Sequence, residues 1–266
     1  MDERQLPGTT QREELERMGL MDHLEELRIR IFRSLGAFTV AFIACWFFSG
    51  QIYDFLAEPI YTILKNRGED PRLSFLGVTD PFTIYIKVSA LAAVFIASPV
   101  ILYQFWSFVS PGLYKKEKRM AIPFIFFGSV LFIGGGLFAY YIAFPFAAEF
   151  LLGMGARFNP TITVDKYLRF LMTVILGLGV MFELPTVIFL LSRLGLVTPR
   201  FLMRHFRWAV VIIFTVAAII TPTPDVINLC IFALPTLVLY LLGVGAAALF
   251  EPRRQNEDLT DEATSD

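Results

Sequence analysis

Residues 82–103 read FTIYIKVSALAAVFIASPVILY and carry a single charged side chain, Lys87. A transmembrane helix needs about 20 mostly apolar residues to cross the hydrocarbon core. Five further stretches have the same character: 29–49, 121–145, 167–192, 208–221 and 226–250. Backbone polar groups in lipid must be satisfied within the segment, so each stretch reads as a helix. The expected fold is an all-α membrane protein with six transmembrane helices. A mean hydropathy of +0.61, and 28 phenylalanines among 266 residues, agree with a lipid-embedded chain.

The charges between the stretches give the orientation. With the N-terminus inside, 16 lysines and arginines lie on the inner segments and 6 on the outer ones, with Lys87 inside the second span. This bias sets topology, so both termini are expected in the cytoplasm. The net charge of −1 offers no basic surface for nucleic acid. The first 28 residues include Asp2, Glu3, Glu13, Glu14, Glu16, Asp22, Glu25 and Glu26 and no apolar core, unlike a secretory signal. The same acidity argues against an organelle transit peptide, leaving a bacterial cytoplasmic (inner) membrane as the expected location. Cys45 and Cys230 both fall within spans and read as small packing residues.

Residues 1–19 are polar and read as a mobile cytoplasmic tail, and 251–266 as a second tail, with the membrane domain at 20–250. Leu20, Leu24, Leu27 and Ile31 recur at helical spacing against a stripe of Asp22, Glu26, Arg30 and Arg33, which predicts a short amphipathic helix on the inner surface. The outer segment 50–80 is too apolar for a free linker, with Phe55, Leu56, Ile60 and Ile63. Asp80-Pro81 has the form of an N-cap and first helical residue. Gly134, Gly135 and Gly136 permit close helix approach or a bend. Residues 146–166 read as a partly apolar segment along the membrane surface. The fifth span, 208–221, gives only about 21 Å of helix against a core of about 30 Å, so local thinning of the bilayer or a water-filled indentation is expected there.

Glu183 interrupts the fourth span, within Phe182-Glu183-Leu184-Pro185. Intramembrane charges are costly and usually face a bundle interior or cavity. Pro185 leaves the Met181 carbonyl without its helical donor. Gly179, Glu183 and Thr186 fall on one face. Two readings stand: a protonated glutamate bonded to the kinked backbone, or contact with a partner helix or transported polypeptide. Lys87 reads as a snorkelling lysine. Asp225 reads equally as a helix-terminus carboxylate or a functional one. On the inner side Glu26 and Glu117 stand among basic residues, which by themselves suggest only surface ion pairs. His23 and His205 form no metal pattern, and there is no nucleophile elbow, P-loop or CxxC. No enzyme activity, metal or cofactor is expected.

Several motifs occur in one order along residues 20–250. They are His23-Leu24-Glu25-Glu26-Leu27-Arg28, Glu58-Pro59, and Ser98-Pro99-Val100-Ile101-Leu102-Tyr103-Gln104 running into Trp106-Ser107-Phe108. Then come Pro111-Gly112-Leu113-Tyr114-Lys115-Lys116-Glu117-Lys118-Arg119, Phe182-Glu183-Leu184-Pro185 and Thr223-Pro224-Asp225-Val226. In these the chain resembles the TatC family, the multi-spanning subunit of the twin-arginine protein translocase. The resemblance implies a concave, glove-like bundle and a receptor for the paired arginines of a signal peptide. Glu26 and Glu117 are then the receptor carboxylates, supported by Arg28, Phe108 and Lys116. Arginine forms charge-assisted, bidentate bonds to carboxylate, and lysine lacks that planar fork.

The implied partners are TatA- and TatB-type single-span subunits, further copies of the chain and membrane lipid. Transport of folded proteins would run on the proton motive force. Glu183, Thr223, Asp225 and Asn228 are the candidate partner-helix or intramembrane polar site, while Pro59, Pro99, Pro111 and Pro185 are expected to be structural. Where the family usually has a glutamine early in span six, this chain reads Asn228-Leu229. Rival readings are an ion-coupled small-molecule transporter, for which no repeated halves are evident, and a membrane scaffold without receptor activity.

Overall fold

The computed structural model describes residues 9–109, 118–155, 157–158, 161–221, 223 and 225–249. Its helices are α1 (Thr9–Phe47), α2 (Ser49–Asn66), α3 (Asp80–Val109), α4 (Lys118–Phe138), α5 (Phe144–Met154), α6 (Val164–Met181), α7 (Leu184–Arg193), α8 (Pro199–Arg204), α9 (Phe206–Ile220) and α10 (Val226–Leu249). Five runs are long and apolar enough to cross a membrane: His23–Phe47, Asp80–Val109, Ile125–Met154, Val164–Arg193 and Val226–Leu249, with Phe206–Ile220 as a shorter sixth. This is a six-span, all-α membrane fold.

Two compact units make up the chain, residues 1–53 with 85–129, and residues 54–84 with 130–266. In the first unit, small residues let α1 and α3 approach closely: Ala41, Cys45, Ala93 and Ala97 are buried and packed by Phe38, Phe42 and Ile101. Cys45 is thus a packing residue, and it is not disulfide-bonded.

The surface helix expected at 20–33 is not a separate element. It is the middle of one 39-residue helix that runs from Thr9 straight into the first span. No glycine or proline falls between Leu20 and Ile31 to end it, and Glu26 and Arg30 support it by pairing one turn apart.

In the second unit the first part of the expected surface segment 146–166 is a continuation of the third span, as far as Met154. The continuation passes through a single π turn, Ala139–Ala143, closed by the Phe144 amide donating to the Ala139 carbonyl. A wider turn of this kind spares Pro145 the clash a regular turn would force. Tyr140, inside the turn, then donates its hydroxyl to the Phe55 carbonyl at 2.5 Å and stacks on the Phe55 ring at 4.5 Å. Phe55 lies four residues before Pro59, which has no N–H to give it. Tyr167 does the same for the adjacent Leu56 carbonyl. Two tyrosines from two spans therefore hold the proline-bearing α2, whose Leu56, Ala57, Ile60 and Leu64 are buried.

Residues 74 and 163 form a short parallel bridge, with Ser74 N–H donating to the Ile162 carbonyl at 3.0 Å and Val164 N–H to the Ser74 carbonyl at 2.9 Å. Asp80 does begin α3, but its carboxylate turns back to the amides of Leu76 and Gly77, at 3.0 and 2.7 Å, and so fixes the preceding loop.

Close helix contacts rest on glycine. A Cβ on Gly135 would stand 2.7 Å from the Leu178 carbonyl oxygen, and one on Gly243 2.8 Å from the Pro185 Cα. At the start of α10, Asp225 is the N-cap: its Oδ1 accepts from Asn228 N–H at 2.7 Å and its Oδ2 from the Asn228 amide at 2.9 Å. Burial pushes the Asp225 carboxyl up, but hydrogen bonds from Asn228, Thr223 and Ile227 outweigh this and hold it below its ordinary value.

Three outcomes follow for the protein in detergent. Tyr140→Phe is expected to destabilise by about 1–3 kcal/mol, the cost of an unmet buried carbonyl. In a Pro59→Ala background, where residue 59 regains its N–H, the same change should cost much less; equal costs in the two backgrounds would refute the pairing. Gly243→Ala should lower stability by about 1–3 kcal/mol, because the clash is with backbone, and a melting curve reads it. Because the folded Asp225 carboxyl lies below its unfolded value of about 3.9, its contribution is complete above that pH and is lost as pH falls through the folded value. The stability gap between wild type and Asp225→Asn should accordingly be widest at neutral pH and close below about pH 4.

Candidate functional site

Glu26 lies near the middle of α1. Its Oε1 accepts from the Arg30 guanidinium, at 3.0 Å from Nε and closer still from Nη2. The Glu26 side chain remains 36% exposed, so the pair is accessible. An ionised carboxylate has about four lone-pair sites, which leaves acceptor capacity beyond Arg30. Arg28 points elsewhere. Its guanidinium sits 5.9 Å over the Phe32 ring and borders a hollow of about 420 Å³ with Glu25, Ile29 and Arg33.

Phe108, at the end of α3, stacks on His23 with ring centroids 4.4 Å apart and planes 16° from parallel. It also lines a mostly apolar groove of about 380 Å³ between α1 and α3, with Leu27, Arg30, Ile31, Gln104 and Phe105. Of the residues singled out from sequence for this face, the structure thus brings Phe108 to α1 but places Arg28 on a different side from the groove. Glu117, Lys116 and Pro111 lie outside the described residues.

Three members of this face were not picked out as site residues: Arg30, His23 and Gln104. Arg30 was legible as the i+4 partner of Glu26. Gln104 is buried with its Oε1 unbonded among the described residues, a feature that only the tertiary packing reveals.

The intramembrane group has a different character. Glu183 sits at the break between α6 and α7, where its N–H bonds to the Val180 carbonyl three residues back, and is only 7% exposed. Pro185 occupies the first turn of α7. Gly179 and Thr186 are buried with Glu183, as their shared face requires. Phe182 beside it meets Phe138 at 5.5 Å, and Phe132 closes on Gly179. Among the described residues no hydrogen bond of regular geometry reaches either carboxylate oxygen of Glu183, although the Thr186 hydroxyl stands close enough to interact with it. The reading in which Glu183 is bonded to the kinked backbone is therefore not the observed arrangement. It is a buried acid with only the Thr186 hydroxyl beside it among the described polar groups.

Thr223, Asp225 and Asn228 do come together. The Asn228 amide donates to both Thr223 Oγ1, at 3.0 Å, and Asp225. Asn228 is fully buried, and both donors of its amide are committed within the cap, leaving its Oδ1 unbonded. Pro59 and Pro99 lie inside α2 and α3, and Lys87 is half-buried on α3.

Comparison with known proteins gives the family of the chain. Residues 22–235 match the model of the TatC family, Sec-independent protein translocase protein. The chain is 43% identical over 245 residues to the Sec-independent protein translocase protein TatC of Koribacter versatilis, covering 92% of this chain and 90% of that one. It is 40% identical to the TatC of Aquifex aeolicus, covering 85% and 93%. Two crystal structures of the twin arginine translocase receptor TatC, one of them in DDM, superpose with TM-scores of 0.72 and 0.75 at 39% identity, over 85% of this chain. With its six spans and this degree of likeness along nearly its whole length, the chain belongs to the TatC family of Sec-independent protein translocase proteins.

Proposed function

We propose that this translocase subunit is the signal-peptide receptor and organising core of its export machinery, set N-in and C-in in a bacterial cytoplasmic membrane. The solved relatives described as twin arginine translocase receptors support the reading, as does the excess of lysine and arginine on the segments assigned to the inside. The observation that carries it is the state of Glu26: a half-exposed carboxylate already gripping a guanidinium. Arg30 occupies Glu26 as one arginine of a signal would. An incoming arginine exchanges with it or shares the remaining lone pairs, and Glu117 on the neighbouring inner loop takes the second. The groove beside Glu26, walled by Leu27, Ile31, Phe105 and Phe108, accepts apolar side chains next to that charge. Arg28 and Lys116 keep the surroundings positive, so unselective attraction of cations is suppressed.

Within the membrane, Glu183 and the Thr223–Asp225–Asn228 group are the proposed meeting points for TatA- and TatB-type helices. The unmet oxygens of Glu183 are the stronger of the two, because the Asn228 amide is already engaged. Assembly with further copies of the chain, and drive from the proton motive force, complete the proposal. Its work is movement of folded protein, with no chemical step on the cargo.

The test is binding of a twin-arginine signal peptide to the purified chain in nanodiscs. Wild type should bind it and reject a twin-lysine peptide. Glu26→Ala and Glu117→Ala should each weaken binding at least tenfold, about 1.4 kcal/mol. Arg30→Gln, which removes the internal competitor, should strengthen it. Indifference of binding to all of these changes would leave a scaffold in place of a receptor.

A further inference from the structure

Between Glu183 and Asp225 the sequence contains no aspartate or glutamate, yet it contains Arg193, Arg200, Arg204 and Arg207. The other basic segments on the same side of the membrane carry their own acids, Glu25 and Glu26 beside Arg28 and Arg30, and Glu117 beside Lys116. This one is uncompensated.

The structure arranges the charges in a stripe. Thr198 caps α8 by accepting from Phe201 N–H at 3.2 Å, and Pro199 fills the first turn. Helical bonding continues through His205 into α9, with His205 N–H donating to the Phe201 carbonyl at 3.1 Å and Ala209 N–H to the His205 carbonyl at 3.2 Å. Arg200 and Arg204, four apart, share one face of α8, Arg207 follows just past the break at His205, and all three are exposed. Leu202 and Phe206 turn the other way, toward Tyr240, which donates to the Leu202 carbonyl at 3.0 Å. Beside the arginines runs an aromatic edge: Phe201 meets His205 at 4.2 Å, and Trp208, 57% exposed, lies under the Arg207 guanidinium at 6.0 Å. Among the described residues no carboxylate pairs with Arg200, Arg204 or Arg207.

We propose that this stripe is a binding site for the headgroups of anionic phospholipids, in which Arg200, Arg204 and Arg207 donate to phosphate oxygens. The planar guanidinium fork matches phosphate, and basic groups beside a span are drawn to anionic leaflets. Trp208 and Phe201 have the chemistry of the boundary between headgroup and acyl chain, wet at one end and apolar at the other. Depth agrees, since Trp208 opens the apolar run that continues to Ile220. The helix that carries it is short: the 15 residues of α9 give about 22 Å. Headgroups held at its basic end fix the depth of a helix too short to set it by hydrophobic length. None of its residues is among those proposed for signal recognition, and in the proposed orientation it faces the cytoplasmic leaflet.

The test uses the whole chain, purified in detergent and titrated with fluorescent phosphatidylglycerol or with phosphatidylcholine of the same chains. Wild type should bind phosphatidylglycerol at least tenfold more tightly. R200Q/R204Q/R207Q should lose that preference and keep its phosphatidylcholine binding. R200K/R204K/R207K, which preserves charge and topology without the fork, should fall between. Excess glycerol phosphate should fail to displace the lipid.

Equal binding of the two lipids by wild type overturns the proposal, as does an undiminished preference in the glutamine variant or full displacement by glycerol phosphate, which would mark a site for free phosphoanions. If the glutamine variant does not fold, the wild-type preference and the lysine variant decide. Twin-arginine peptide binding, measured on the same preparations, separates failure of this site from failure of the receptor reading.

Discussion

A carbonyl group shut away from water must find a donor within the protein, and much of this molecule is shaped by that demand. Each proline inside a helix removes one donor. Pro59 does so in α2, and the Phe55 carbonyl it strands is met by the hydroxyl of Tyr140. Tyr140 reaches it from a π turn, and the π turn itself sits just ahead of Pro145. One backbone vacancy is filled from another irregularity, and the two together tie α2 to the third span. The Tyr167 bond to Leu56 adds the fourth span to the same joint. The kinked helix is held by side-chain hydroxyls where regular helices are held by their own amides.

At Glu183 the same demand is left open. Pro185 breaks the fourth span two residues beyond it, and small or polar neighbours make room, but no hydrogen bond of regular geometry from a described residue reaches the carboxylate. The contrast with Asp225 is instructive, because that carboxylate collects bonds from Asn228 and Thr223 and becomes part of the helix start. One acid completes the fold, and the other is kept buried by surrounding helices without being used by them. The resting state of Glu26 lies between these extremes, paired yet accessible.

The six spans were legible because a stretch of about 20 residues with almost no charge has few other physical meanings. Glu183 was legible for the converse reason, as a charge where none is cheap. Element ends were harder. The amphipathic pattern at 20–33 is the same whether that helix lies on a surface or runs on into the span, and only the unbroken backbone decided it. The length of the third helix past Pro145 was hidden because a proline normally reads as a stop, and a π turn has no sequence signature to cancel it. Asp80 had the form of a cap, but its carboxylate serves the loop before it, a choice made by the turn at Gly77 rather than by the helix. On the candidate receptor face, residue spacing identified Glu26 and Arg30 as neighbours, whereas the stacking of His23 on Phe108 joins residues far apart in sequence and depends on packing.

The π turn also has a consequence for how this chain tolerates change in length. It holds one more residue than a regular turn, and successive residues in a helix are about 100° apart around the axis. Removing any one residue from 139–143 would restore a regular turn and with it the clash at Pro145. Everything beyond it would also be turned by that angle. Leu152, whose carbonyl now accepts from Arg67 at 3.0 Å, would face a different way, and so would the buried pair Ala147 and Ala148. The turn acts as a phase setting between the two halves of the third span. A deletion there changes the phase of every residue beyond it, whereas one in a connecting loop leaves the phase within each helix as it was.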